Sequence, residues 1–389
     1  MTPISPLIPI HEQAGASMAR YGPPEVGPLV PETFDELELE YAALRRSCAL
    51  VDQPQRGLLE LTGSDRLEFL ERMLTQKVGD LTARQVRRSF WLDRKGRIAA
   101  DLRVIELPGR TLLEMDVLVA QKTATTLGQF LITEDVSIED RSEQAHRLSM
   151  YGPGAWALLA AASSRASEAG VPDPDRACRV QICGHRLEAF RDDWAGPVGL
   201  ELIVDAEHVV DVYTRLLECG GAIETDAVPG RQTIRRAGWH ALNIARIEAG
   251  QPIFNIDFGP DALPHETGVL HDRVSFTKGC YLGQEIVARM ESLGHPRRRL
   301  VALRIEADGD APTPQPIGGS LLTPIDDPAS TPVGVVTSSA ISPMLGSEPI
   351  CLAMVRWAAS EPGTRVSVSA DGRRAVAVIQ PRLRFWATQ

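Results

Sequence analysis

The sequence predicts mixed α+β domains followed by a smaller all-β unit at the C-terminus. Two observations carry this. Up to about residue 296, short apolar strand runs alternate with amphipathic helical segments. Beyond it, strand-like runs are separated by Pro, Gly, Asp and Ser turns and no helical pattern recurs. A chain of 389 residues buries more than one core, so two or three domains are expected.

Residues 1–35 hold seven prolines and read as irregular chain wrapping over the body. Residues 36–46 read as a helix and 57–61 as a strand. In the next segment Leu67, Leu70, Met73 and Leu74 mark one helical face, and Asp65 with Glu68 fits a capping box. Strands are expected at 89–92, 98–105 and 111–116, a helix at 117–131 and a strand at 132–139. The run Leu200-Glu201-Leu202-Ile203-Val204 is a clear strand feeding a helix over 206–219. That helix has an apolar face of Val209, Val212, Tyr213, Leu216 and Leu217, and it ends at Gly220 and Gly221. Residues 284–293 have helical periodicity and stop at Gly294, with Glu285 and Arg289 spaced to pair across one turn. Further strands are expected at 300–305, 333–337, 350–355 and 375–380, with 308–316 as a surface loop. A small β-barrel, a β-sandwich or a cover sheet sharing the preceding core all fit this last region.

Composition bounds the function. Hydrophobic content of 43% and charged content of 24% are ordinary for a globular protein. The net charge of −10 argues against a general nucleic-acid binder, so direct nucleic-acid contact is not expected, although a local basic patch is compatible with it. No run reaches the roughly 18 apolar residues that span a membrane. The N-terminus lacks a basic segment followed by an apolar core, so export is not expected. Cys48, Cys178, Cys183, Cys219, Cys280 and Cys351 are dispersed without a Cys-x-x-Cys pair, which suits a reducing cytoplasm. The eight histidines form no His-x-x-x-His set, and no built-in metal site is expected.

The residues with chemical promise are few. Lys278-Gly279-Cys280-Tyr281-Leu282-Gly283-Gln284-Glu285 places a cysteine between two glycines, directly before a helix. Unpaired backbone N–H groups and Lys278 near the sulfur suit a reactive thiol; the alternative is a compact cysteine buried at a turn. His265, His271 and His295 could serve it as base only if the fold brings one close. Asp101, on an otherwise apolar strand, could hold a cationic amine or accept a ring N–H, or could be an edge charge facing water. Glu201 could accept two parallel N–H donors of a heterocycle, or could face solvent. Arg246, Arg289 and the triplet Arg297-Arg298-Arg299 could form a local positive patch for a carboxylated or phosphorylated ligand, or pair with nearby acids. RNA contact lacks interleaved aromatics, and no phosphate-binding or dinucleotide glycine motif occurs.

The motif from Lys278 to Glu285 resembles K-G-C-Y-x-G-Q-E, the signature of the YgfZ/IBA-type folate-binding branch of the glycine-cleavage T-protein (aminomethyltransferase) superfamily. Further stretches resemble the superfamily: His11 to Met18, Leu61-Thr62-Gly63-Ser64-Asp65 with Phe69-Leu70, Arg246 to Pro252, Pro264 to Gly268, Gly334 to Ser338, and Ser342-Pro343. The resemblance implies a three-domain T-protein-like ring around a folate pocket. Residues 1–145 would be a ferredoxin-like α+β region with an N-terminal wrap, 146–296 a second α+β region carrying the signature, and 297–389 a C-terminal β-barrel. It implies tetrahydrofolate or a related reduced folate as cofactor. Asp101 would face its reactive nitrogens, Glu201 would read the pterin, and the arginine patch with Arg246 and Arg289 could meet the glutamate tail of the folate. Cys280 would act at the rim.

Two departures stand out. Ala100 replaces the first of two adjacent aspartates, and Pro197 replaces a glutamate in the run ending at Glu201. The leading function implied is a cytoplasmic folate-binding accessory protein that supports assembly or repair of iron–sulfur clusters in client enzymes, with client or assembly proteins as partners. A folate-dependent aminomethyl or one-carbon transferase is the alternative, and a non-catalytic scaffold of the same fold the third. Without further paired cysteines, a stable four-cysteine cluster in one chain is not expected.

Overall fold

The computed structural model describes residues 4–34, 36–164, 170–196, 198–220, 223–225, 228–307, 313–327 and 329–386. The chain divides into two compact units. One comprises Met1–Ser89 with Ala100–Leu242, and the other Phe90–Ala99 with Asn243–Gln389.

The first unit is built on two sheets. A six-stranded sheet runs in the order Ala177–Ile182, His185–Arg191, Gly199–Asp205, Ala145–Tyr151, Cys48–Asp52, Ile234–Arg236. All its pairings are antiparallel except the last, where Ile234 aligns with Cys48 in parallel. A five-stranded sheet has the order Val86–Leu92, Ile98–Leu107, Arg110–Asp116, Arg56–Thr62, Ser137–Asp140. The helix Val209–Cys219 buries Val209, Val212, Tyr213 and Leu216 into a core with Leu50, Leu148, Leu200 and Leu202. Each such aliphatic side chain contributes roughly 1.5–3 kcal/mol by leaving water.

The N-terminal segment is more ordered than an irregular wrap. It contains a short helix, Ile8–Gln13, and the paired strands Ser17–Arg20 and Leu29–Thr33. It is fastened by polar contacts. Asp52 Oδ2 accepts from Ser5 Oγ and His11 Nε2, both at 2.8 Å, and Asp52 Oδ1 accepts from His146 Nε2 at 2.5 Å. Burial pushes the Asp52 carboxyl up, but His146 and His11 outweigh it and hold it well below the usual carboxylate range.

Several expectations change. Asp65 is the N-cap residue of Arg66–Met73, but its side chain makes no capping bond, its Oδ2 accepting instead from the Asp135 backbone N–H at 2.9 Å. The strand expected at 132–139 is confined to Ser137–Asp140, since Glu134 Oε2 accepts from the backbone N–H groups of Ile132 and Thr133 and closes a turn. Gly221 and Pro197 lie outside the described residues, as does 308–312 of the expected loop.

In the second unit, a closed barrel has the order Arg298–Ile305, Glu348–Arg356, Gly334–Ser342, Leu321–Pro324, Arg365–Ala370, Arg373–Ile379. Closure removes free edges, and Val301, Leu303, Leu322, Val336, Val355 and Val368 form its own core. This settles the region as a barrel. The strands Leu321–Pro324 and Arg365–Ala370 read weakly in sequence because one is short and ends in proline and the other alternates with serine. The helix Gln284–Leu293 begins after Gly283, which is left-handed at φ +81°. A Cβ on Gly283 would lie 2.8 Å from the Asp93 carbonyl oxygen, so the turn at Asp93–Gly96 requires glycine there.

Candidate functional site

Glu201 sits on Gly199–Asp205 with Ser149 directly opposite on the neighbouring strand. The two-residue repeat of that strand puts Arg147, Ser149 and Tyr151 on one face, and all three donate to Glu201. Arg147 Nε reaches Oε2 at 3.0 Å, Ser149 Oγ donates to the same oxygen, and Tyr151 OH reaches Oε1 at 2.5 Å. Glu201 is only 1% exposed, which replaces the solvent-facing alternative with a buried one. Burial, followed by the charge of Glu201, pushes the Tyr151 hydroxyl well above its ordinary range, so it stays a donor. Gln53 Nε2 donates in turn to Ser149 Oγ.

The network continues through buried arginines. Arg147 Nη1 lies 3.2 Å from Glu114 Oε1, and its guanidinium stacks over Phe190 at 4.5 Å. Glu114 also accepts from Arg56 Nε and, at 2.8 Å, from Arg103 Nη1. Burial alone would raise the Glu114 carboxyl; Arg147, Arg56 and Arg103 together hold it well below the carboxylate range. Arg103 Nε donates to Asp192 Oδ2 at 2.5 Å, and Arg88 donates to Asp192 as well. Burial works against the Arg103 charge, but Asp192, Glu114, Glu201 and Asp101 sustain it.

Asp101 precedes Arg103 by two residues on Ile98–Leu107, so both project to one face. Asp101 is half-buried, while Ala100 is fully buried on the other. Glu201 is linked to Arg103 through Arg147 and Glu114, and Asp101 shares the strand face of Arg103. The loss of an aspartate at position 100 does not alter this face.

The remaining expected residues lie in the second unit. Arg246 is fully buried and committed internally. Its Nε donates to Asn243 Oδ1 at 2.9 Å, Nη1 to Asp257 at 2.6 Å and to the Gln251 carbonyl at 3.2 Å, and Nη2 to Ser338 Oγ at 2.6 Å. Arg289 is exposed, and among the described residues it makes no ion pair with Glu285. Of the triplet, Arg298 Nη2 bonds Asp261 at 2.7 Å, and Arg299 Nη2 bonds the Ser360 carbonyl.

Cys280 is exposed. Among the described residues, no histidine hydrogen-bonds to it: His265 faces Glu291, and His295 stacks on Trp357. Lys278 Nζ lies over the Tyr281 ring, 5.5 Å from its centroid. Gln284 of the signature has a local task, its Oε1 accepting from the Tyr281 backbone N–H at 3.3 Å.

Sequence reasoning missed Arg103, Glu114, Arg147, Tyr151 and Asp192. Two signals were present: the alternation Arg147-Leu148-Ser149-Met150-Tyr151 and the pair Asp101-Leu102-Arg103. Gln55 Oε1 is buried without a hydrogen bond. So is Arg147 Nη1, whose approach to Glu114 is an ion pair without hydrogen-bond geometry.

Comparison with known proteins agrees with this architecture. An aminomethyltransferase of Desulfitobacterium hafniense (strain Y51) is 26% identical over 382 residues, covering 98% of this chain and 97% of its own. An aminomethyltransferase of Moorella thermoacetica is 28% identical over 371 residues, covering 95% and 94%. The crystal structure of glycine cleavage system aminomethyltransferase T from Bartonella henselae superposes with a TM-score of 0.82 at 23% identity, over 98% of this chain and 97% of that one, and shows the same fold. Residues 7–278 match the GCVT N-terminal domain and residues 298–384 the glycine cleavage T-protein C-terminal barrel domain, and the chain belongs to this T-protein family.

Proposed function

We propose that this chain binds a reduced folate and acts as a folate-dependent aminomethyl or one-carbon transferase. The observation that carries the reading is that the buried Glu201 is linked through Arg147 and Glu114 to Arg103, on whose strand face Asp101 also projects. Tetrahydrofolate, when bound, supplies ring nitrogens that carry the one-carbon unit. Glu201, with Tyr151 as its one donor on Oε1, keeps acceptor capacity for a pterin N–H. Gln55 Oε1 offers a second acceptor. Asp101, half-exposed beside a fixed guanidinium, is placed to hold a developing cationic amine or take its proton. Substitution Asp101→Asn should lower folate-dependent turnover of an aminomethyl donor by about 10²–10⁴-fold with little change in folate affinity. Unchanged turnover would end the transferase reading.

A second reading has its own support. The exposed Cys280 within Lys278–Glu285 favours a folate-binding accessory role toward iron–sulfur client proteins. It predicts that Cys280→Ser impairs cluster maturation in a client while folate binding stays intact. Normal maturation with the Cys280→Ser protein would remove it.

A further inference from the structure

The second unit carries an open cleft of about 730 Å³, within the range of small-molecule pockets. It is walled by Ala249–Gln251 just after the helix Trp239–Glu248, the segment His265–Asp272, the start of the strand Arg298–Ile305, the turn at Trp357–Pro362 and the tail Gln380–Arg384. Two of its polar walls carry buried atoms without a hydrogen bond, His265 Nδ1 and Arg299 Nε. The His265 side chain is only 7% exposed. Its Nε2 faces Glu291 Oε2 at 3.2 Å. A carboxylate only accepts, so Nε2 carries the hydrogen, and in the neutral ring Nδ1 is left as a buried acceptor. Burial, the largest influence, lowers the proton affinity of this imidazole, in keeping with the neutral form.

Arg299 presents the opposite need. Its Nη2 is used by the Ser360 carbonyl and lies 3.5 Å from the exposed Glu361 carboxylate, and its guanidinium rests on Trp357 at 4.7 Å, leaving Nε as an unused donor. Arg382 and Arg384 line the same cleft, exposed, and among the described residues neither has an ion-pair partner. Among the described residues the one carboxylate of the lining, Asp272, is paired with Arg273. The walls therefore offer Arg382 and Arg384 to an anion, with Arg299 Nε as a further donor, and His265 Nδ1 to a hydrogen-bond donor. Val269, Leu270 and Leu383 offer apolar surface to a short chain.

We propose that this cleft binds a small carboxylic acid bearing a hydroxyl or amino group next to the carboxylate. The carboxylate meets Arg299 Nε, Arg382 and Arg384, and the hydroxyl or amino group donates to His265 Nδ1. The site lies wholly in the second unit and does not depend on the folate reading.

Calorimetry on the full chain with L-lactate, L-alanine, propionate and inorganic phosphate tests it. Propionate keeps the charge and size of the first two but lacks their donor. Lactate or alanine should bind saturably and at least about tenfold more tightly than propionate. The Arg382→Ala/Arg384→Ala double variant, altered only at exposed side chains, should weaken that binding about tenfold or more. His265→Phe should abolish the preference over propionate, and His265→Asn, which keeps an acceptor, should retain it. No saturable binding by any probe, equal binding of propionate, or tighter binding of phosphate would overturn the proposal. Acid binding that survives in Glu201→Gln, or in a protein that binds no folate, supports this site while the folate reading stands or falls separately.

Discussion

Arg147 holds two buried carboxylates at once: its Nε donates to Glu201 at 3.0 Å and its Nη1 lies 3.2 Å from Glu114. Removing the arginine leaves both charges without their shared partner. Arg147→Met should cost about 3–5 kcal/mol, the range for breaking a buried pair from one side. The double variant Arg147→Met/Glu114→Gln should cost less than the two single changes added together. Urea unfolding of the four proteins measures this; strict additivity would contradict the shared network.

Asp52 should make the first unit acid-sensitive. Its carboxyl is depressed below the unfolded value of about 3.9. Its contribution is then fully present above that value and is lost as pH falls through the lower folded one. Asp52→Asn should be less stable than wild type at pH 7, with the gap narrowing below about pH 4. Unfolding midpoints against pH for both proteins test the sign, and a gap that widens in acid would refute it.

Gly283 should tolerate no side chain. It combines φ +81° with a Cβ position 2.8 Å from the Asp93 carbonyl. Gly283→Ala should destabilise by at least about 1 kcal/mol. A neutral effect on the unfolding free energy would show that the turn at Asp93–Gly96 yields easily.

The thiols should separate by burial. Cys280 and Cys183 are exposed, whereas Cys48 and Cys351 are fully buried, with the Cys351 thiol pushed up to about 12 by burial. Iodoacetamide labelling of native protein near pH 8, read by peptide mass spectrometry, should modify Cys280 and Cys183 first. Early labelling of Cys48 would contradict the packing of its strand.

Much of the fold was legible because periodicity survives in single segments. The helix at Val209–Cys219 and the strand at Gly199–Asp205 announce themselves by apolar spacing. The strand Cys48–Asp52 is buried at every position and shows no alternation, so its pattern was silent. The site was legible only at its ends. Asp101 and Glu201 stand out as carboxylates on apolar strands, but Arg103, Arg147 and Glu114 acquire meaning through strand register, which brings Ser149 opposite Glu201. Arg246 shows the converse: a motif arginine whose donors are consumed inside the second unit by Asp257, Ser338, Asn243 and Gln251.

The most direct measurement is calorimetric titration of the wild-type protein with reduced folates under anaerobic reducing conditions, beside Asp101→Ala and Glu201→Gln. Wild type should bind saturably, and binding should weaken about tenfold or more in Glu201→Gln, where the negative acceptor is lost. Absence of folate binding by the folded wild-type protein, or wild-type affinity in Glu201→Gln, would contradict the folate reading.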